Sequence, residues 1–267
     1  LVLVQRHGRG QNPGMGIGDA QKFEHTLDRA VLAVAAMQGI EGYIGRDLAL
    51  SGMPLERASA VAVRLLDRGY FRIGGDAYAD ANGSFGLTTL ERRHVRRRGG
   101  ALVFTFVGKS GVEHAVEVED PDVLAALVVM RRRRDGDRLL GYQTQRRWND
   151  LVADHVNEYL RELFEGELTA KDFRTWHATV IAAAALASTD EPGDTVASRG
   201  RAVRAAVEEV STYLGNTPTV ARSSYVDPRV IDLYEAGTTI GEVARKRFRS
   251  PERRQEALER AVLEMLE

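Results

Sequence analysis

A mainly α-helical protein with one small antiparallel sheet, an α+β class, is predicted by three features of the sequence. Hydrophobic residues make up 43% of 267 residues, enough apolar mass for a substantial core. Between His94 and Val118, short runs of alternating residues are punctuated by glycines, the pattern of strands joined by tight turns. From Pro121 onward the apolar residues recur at helical spacing, and prolines stand where helices begin.

Residues 1–18 are glycine-rich and lack periodicity, and read as a tail or remnant. Residues 19–267 are expected to form one domain. Asp19 to about Met37 is helical by pattern, with Phe23, Leu27, Val31 and Val34 on one side, and Gly39–Gly45 reads as irregular. Pro54, after Ser51 and Gly52, starts a helix that Leu55, Ala58, Val61, Val63, Leu65 and Leu66 carry to about Asp67. Gly69, Gly74 and Gly75 break the chain around Tyr70–Ile73.

Three strands follow: His94–Arg98, a run through Leu102–Val107 that is apolar on both faces, and Val112–Val118, where valines alternate with glutamates. Gly99-Gly100 makes the first turn and Gly108-Lys109-Ser110-Gly111 the second, with Lys109 at its tip. Everything after Pro121 is expected to be helical. Trp148, Leu151, Val152, His155, Val156, Tyr159, Leu160 and Leu163 make one stripe. Thr169 with Asp172 resembles a capping box, and Asp190–Gly193 is a loop. Val203, Val207, Val210 and Leu214 stripe a helix closed by Gly215, and Thr217-Pro218, Asp227-Pro228 and Ser250-Pro251 each pair a cap with an N1 proline.

Composition narrows the chemistry. The absence of cysteine removes thiolate nucleophiles, disulfides and Cys-based zinc sites, and no histidine pair stands at i, i+4. The longest apolar runs are eight residues, far short of a membrane span, and no signal peptide opens the chain, so a cytoplasmic protein with no membrane partner is expected. The net charge of −1 is low for a nucleic-acid protein, but its distribution is uneven. Arg131–Arg147 holds seven arginines and two aspartates, and Arg92–Arg98 holds five arginines in seven residues. A solvated face is the plain reading of such runs.

Four segments in order decide between these readings. They are Phe71-Arg72-Ile73-Gly74 through Gly86-Leu87-Thr88-Thr89-Leu90; Val107-Gly108-Lys109-Ser110; Lys171-Asp172-Phe173-Arg174-Thr175-Trp176; and Leu214-Gly215-Asn216-Thr217-Pro218, with Tyr225 nine residues past Asn216. Together they resemble the catalytic core of type IB DNA topoisomerases, in the bacterial and poxvirus-type branch. The likeness is clear over about Ser51 to Arg229 and weaker outside.

The resemblance implies relaxation of supercoiled double-stranded DNA through a transient 3′-phosphotyrosyl bond, with no cofactor, metal or ATP. Tyr225 matches the nucleophile, Arg72 and Arg174 the two arginines that clamp the phosphate, and Lys109 the general acid for the departing 5′-oxygen. Asn216 stands where many relatives carry histidine, so its implied role is a hydrogen bond to a phosphate oxygen, without charge or acid chemistry. Tyr78 and Lys171 are implied DNA contacts. Gly75 and Ala77 replace lysines of the family, which argues against a poxvirus-like target sequence. The resemblance also implies a small β-rich N-terminal domain that residues 1–18 are too short to form. A monomer, associated with the nucleoid, is expected.

Two rival readings share these residues. Tyrosine recombinases use the same nucleophile and clamp, but their second arginine sits in a His-x-x-Arg box, and here Lys171 stands three before Arg174. A catalytically weak DNA-binding fragment would bind duplex in a salt-dependent way and form no adduct.

Overall fold

The computed structural model describes residues 42–75, 83–164, 168–188 and 195–267. The expected helix over 19–37, the tail, the loop 190–193 and Tyr78 lie outside the described residues. Two compact units divide the chain, one reaching Phe173 and the other Arg174–Glu267.

In the first unit, helix α1 covers 42–48, correcting the expectation of irregular chain there. Ile44 and Leu48 are buried one turn apart, while a Cβ at Gly42 or Gly45 would meet nothing. The glycines therefore weaken only the open side, and burial of the other side overrides their propensity. Asp47 is buried, and the Tyr159 hydroxyl donates to its Oδ2 at 2.9 Å.

Helix α2 (Leu55–Gly69) is buried continuously from Ala58 to Leu66, so it is enclosed on every side. Its alanines and serine let neighbours approach closely. One charge sits inside this helix: Arg64 faces the Asp120 carboxylate at 3.8 Å, joined by Arg68 at 3.6 Å. Asp120 also caps helix α3 (Pro121–Met130), accepting from Asp122 N and Val123 N.

Strands β1 (Val95–Arg98), β2 (Ala101–Val107) and β3 (Glu113–Val118) form the expected antiparallel sheet in the order β1-β2-β3. Val95 pairs with Phe104, and Phe104 with Val116, which puts one apolar row across the sheet. His94 belongs to a short 3-10 turn, Arg92–His94, just before β1.

The chain after Pro121 is not all helical. Strands β4 (Gly141–Thr144) and β5 (Arg147–Asp150) form a hairpin, with Gln143 opposite Trp148. Its turn places Gln145 and Arg146 at φ 50° and 67°, a left-handed pair without glycine. Trp148 thus lies on a strand, and the stripe narrows to Val156, Tyr159 and Leu160 on helix α4 (Ala153–Phe164).

Helix α5 (Ala170–Ser188) begins where Asp172 accepts from Thr169 N and Oγ1, both at 2.8 Å. From Arg174 onward the helix belongs to the second unit. Helix α6 (Val196–Leu214) buries Val203, Val207, Val210 and Leu214 as expected, and Gly215 ends it at φ 62°. Helices α7 (Pro218–Ser224), α8 (Pro228–Glu235) and α10 (Pro251–Leu266) start at the three cap–proline pairs, with the short α9 (Gly241–Ala244) before the last. Among the described residues no helix is long and apolar enough to cross a membrane.

Candidate active site

In the first unit, Arg72 and Lys109 are tied to one scaffold. Arg72 is half-buried on an irregular stretch after α2. Its carbonyl accepts from Leu87 N at 2.7 Å, and Ile73 O accepts from Thr88 N at 2.8 Å and Thr88 Oγ1 at 2.9 Å. Two glycines make this pairing close: a Cβ on Gly86 would stand 2.4 Å from Gly74 Cα and 2.9 Å from Arg72 O. Nothing larger than hydrogen fits there. The pairing extends to β2, because Phe85 N donates to Val107 O at 2.8 Å.

An aromatic stack links the same parts. Phe71, beside Arg72, lies 5.1 Å from Phe104 and 5.8 Å from Phe106, and Phe106 stacks on His114 at 5.0 Å. His114 in turn packs against Gly108, where a Cβ would meet its ring at 2.6 Å. Lys109 follows, exposed on a 3-10 turn (Lys109–Gly111) at the β2–β3 tip. Ser110 sits there at φ 64°, a left-handed conformation that costs a non-glycine residue about 1 kcal/mol or more.

The arginine runs divide into structural and exposed members. Arg92 donates to Arg133 O and Gly136 O, and Arg138 to Thr88 O at 2.9 Å. Arg133 is buried with its Nη2 on Asp150 Oδ1 at 2.6 Å. Arg98 pairs with Glu117. Arg96, Arg131, Arg132 and Arg134 are exposed. The plain reading of a wholly solvated face therefore fails for Arg92 and Arg138, which hold the segment 88–92 in place, and for Arg133, which is tied to Asp150 on β5.

In the second unit, Arg174, Asn216 and Tyr225 come together around the end of α6. Arg174 is only 4% exposed. Its Nη2 donates to Leu214 O at 2.8 Å, at the negative end of the α6 dipole, and its guanidinium carbon lies 5.5 Å from the Tyr225 ring centroid. Gly215 then turns the chain, and Asn216 N returns to Ser211 O at 3.0 Å. The Asn216 side-chain nitrogen is buried. The cap of α7 is Thr217, whose Oγ1 accepts from Val220 N at 3.3 Å, so Asn216 is not needed as that cap.

Tyr225 closes α7 with φ −140° and ψ −28°, outside helical geometry. Tyr225 N and Val226 N both donate to Ala221 O at 3.1 Å. Just beyond, Asp227 is 1% exposed, caps α8 through Arg229 N, and holds the Arg229 guanidinium at 3.1 and 2.7 Å. Asp227 was legible as a cap, whereas nothing in the sequence marks Thr179, whose hydroxyl reaches this backbone from α5. Lys171 is exposed on the first turn of α5. Among the described residues no cluster of three or more metal-ligating side chains occurs.

Within the second unit, then, a buried arginine lies over the ring of a half-buried tyrosine, and an amide side chain follows the glycine that closes α6. The family is shown by a match over residues 16–246: this chain belongs to the family of the eukaryotic DNA topoisomerase I catalytic core. It is similar to DNA topoisomerase 1B of Acanthamoeba polyphaga mimivirus, 25% identical over 227 residues that cover 81% of this chain and 65% of the relative. It is also similar to DNA topoisomerase 1 of Drosophila melanogaster (30% identical, covering 62% of this chain and 17% of the relative) and to DNA topoisomerase 1 beta of Arabidopsis thaliana (28%, 63% and 18%). The chain therefore spans under two thirds of the length of each of these relatives.

Proposed function

We propose that the protein relaxes supercoiled double-stranded DNA by cutting and resealing one strand through a phosphotyrosyl bond at Tyr225. The observation that carries this reading is the Arg174 guanidinium held at 5.5 Å from the Tyr225 ring within one unit, in a chain of the topoisomerase I core family.

The chemistry follows from the side chains. The Tyr225 hydroxyl gives its proton to water as its oxygen attacks the phosphorus, the bond to the 5′-oxygen breaks, and the strand is joined to the enzyme by its 3′-phosphate. In-line displacement places extra negative charge on the non-bridging oxygens. Arg72 and Arg174 remain charged and offer planar donor forks to those oxygens. Asn216 donates one hydrogen bond from its amide. The 5′-oxygen leaves poorly as an alkoxide, and Lys109 supplies the proton and recovers it on resealing. The phosphotyrosyl bond keeps the energy of the bond it replaces, so the reverse attack by the 5′-hydroxyl needs no nucleotide. Lys171 and Tyr78 contact the DNA.

The test is a suicide duplex that loses its 5′ end on cleavage. Wild-type protein is expected to be trapped on a 3′-phosphate, with Tyr225 as the attached residue on peptide mapping. Tyr225→Phe binds the same duplex and yields no adduct. An adduct on another residue, or plasmid relaxation by Tyr225→Phe, overturns the assignment.

A further inference from the structure

We propose that Thr179 is a positioning residue for Tyr225: one buried hydroxyl pins the backbone that carries the nucleophile to the helix that carries Arg174. The proposal rests on the reading of Tyr225 as the nucleophile and adds a residue that touches neither DNA nor phosphorus.

Thr179 is 2% exposed on α5. Its Oγ1 lies 2.9 Å from Thr175 O, 3.2 Å from Asp227 N and 3.4 Å from Tyr225 O. A hydroxyl has one proton and two lone pairs. It donates to Thr175 O and accepts from Asp227 N–H, and Tyr225 O is the second acceptor within reach of the same proton. The single atom therefore spans the three residues Tyr225, Val226 and Asp227 that join α7 to α8.

Within this span Tyr225 N and Val226 N donate to Ala221 O and Asp227 O accepts from Val230 N, while Tyr225 lies outside helical dihedrals. Its downstream end is fixed by Asp227, which is chelated by Arg229. Thr179 closes the remaining gap, on the side of α5. Arg174 stands five residues earlier on α5, about 7.5 Å along the axis. Any shift of α5 thus carries the Arg174 guanidinium and the Tyr225 backbone together, and their mutual placement survives the shift. A hydroxyl serves this purpose because it satisfies Asp227 N–H, which would otherwise be a buried donor without an acceptor.

The test compares Thr179→Val, which keeps the shape and removes the hydroxyl, with Thr179→Ser, which keeps the hydroxyl. Cleavage of a suicide duplex is followed in a single turnover at saturating DNA, and Kd is measured on intact duplex. Thr179→Val is expected to cleave roughly 10- to 100-fold more slowly, the scale of a misplacement approaching 1 Å, with Kd changed by less than about twofold. Thr179→Ser returns the rate to within about threefold of wild type. Thr179→Ala gives the same rate loss and serves if the valine variant does not fold. Wild-type cleavage by Thr179→Val or Thr179→Ala, a serine variant as slow as valine, or a loss of affinity matching the loss of rate overturns the proposal. Tyr225→Phe run alongside separates the two levels. An adduct retained there removes the nucleophile assignment and this proposal with it. An adduct lost there, beside an undiminished rate in Thr179→Val, removes the role of Thr179 alone.

Discussion

Arg72 and Arg174 are the same kind of side chain assigned the same task, yet the two units hold them by opposite means. Arg72 is placed by its backbone: paired main-chain groups and two glycines in contact fix the peptide, and the side chain is half-buried. Arg174 is placed by its side chain: it is buried, bonded to the last carbonyl of α6, and laid on the Tyr225 ring. The lesson is that a cation can be aimed at a phosphate either as a side chain on a fixed mount or as part of the core itself. Only the second makes chemistry and stability inseparable.

The sharpest way to break that comparison is to truncate each arginine in turn. Arg72→Ala and Arg174→Ala are both expected to slow single-turnover cleavage by roughly 10²–10³. Only Arg174→Ala should lose stability as well, by about 1–3 kcal/mol in denaturant unfolding, because Leu214 O is left buried without its donor. Equal stability of the two variants would erase the distinction.

Gly86→Ala probes the mount directly, leaving every proposed functional side chain in place. The new Cβ would stand 2.4 Å from Gly74 Cα, so backbone must move. A cost of about 1–3 kcal/mol and a cleavage loss near 10²-fold are expected, with duplex binding retained. A variant that cleaves normally would show that Arg72 does not depend on this pairing.

Asn216→Ala sharpens the second unit. Since Thr217 caps α7, the expected effect is on rate, up to about 10², with a stability change below about 1 kcal/mol. A stability loss without a rate loss would remove Asn216 from phosphate contact.

The smallest effect concerns pH and belongs to the first unit. Burial holds the His94 imidazole below its ordinary 6.5, and its Nδ1 accepts from Glu91 N while its ring lies tilted against Phe85, centroids 4.3 Å apart. A base whose folded pKa is depressed contributes stability that is complete above 6.5 and is lost as pH falls toward and through the lower folded value. Tm measured from pH 7.5 down to about 5 should therefore decline, and less steeply in His94→Gln. An unchanged slope in that variant would exclude His94 as the cause.

Where local chemistry decided the outcome, the sequence was readable. The three cap–proline starts, Gly215 at the end of α6 and the sheet from Val95 to Val118 all follow from residues acting on their immediate neighbours. Where tertiary contacts decided it, the sequence misled. The β4–β5 turn puts Gln145 and Arg146 in a conformation usually marked by glycine or asparagine, and Trp148 falls at a helical interval from Leu151 by coincidence. Helix α1 forms through glycines because Ile44 and Leu48 are buried on its other side. The proposed site residues stand in four motifs that the sequence shows in order. Thr179 was not, because a lone threonine inside an apolar helix carries no mark of the distant backbone it meets.

Strand β1 has a consequence for how the protein behaves in solution. It is an outer strand of its sheet, and after Val95 it presents Arg96, Arg97 and Arg98, all exposed. An outer strand offers unpaired backbone groups to any second copy, the first step toward fibrous aggregates. Three consecutive cations there repel an identical strand at close range, so the run that first reads as a solvated face also keeps concentrated protein dispersed. Salt that screens those charges weakens the repulsion, since the screening length falls from about 10 Å at 0.1 M to about 3 Å at 1 M. Solubility is therefore expected to decline as ionic strength rises.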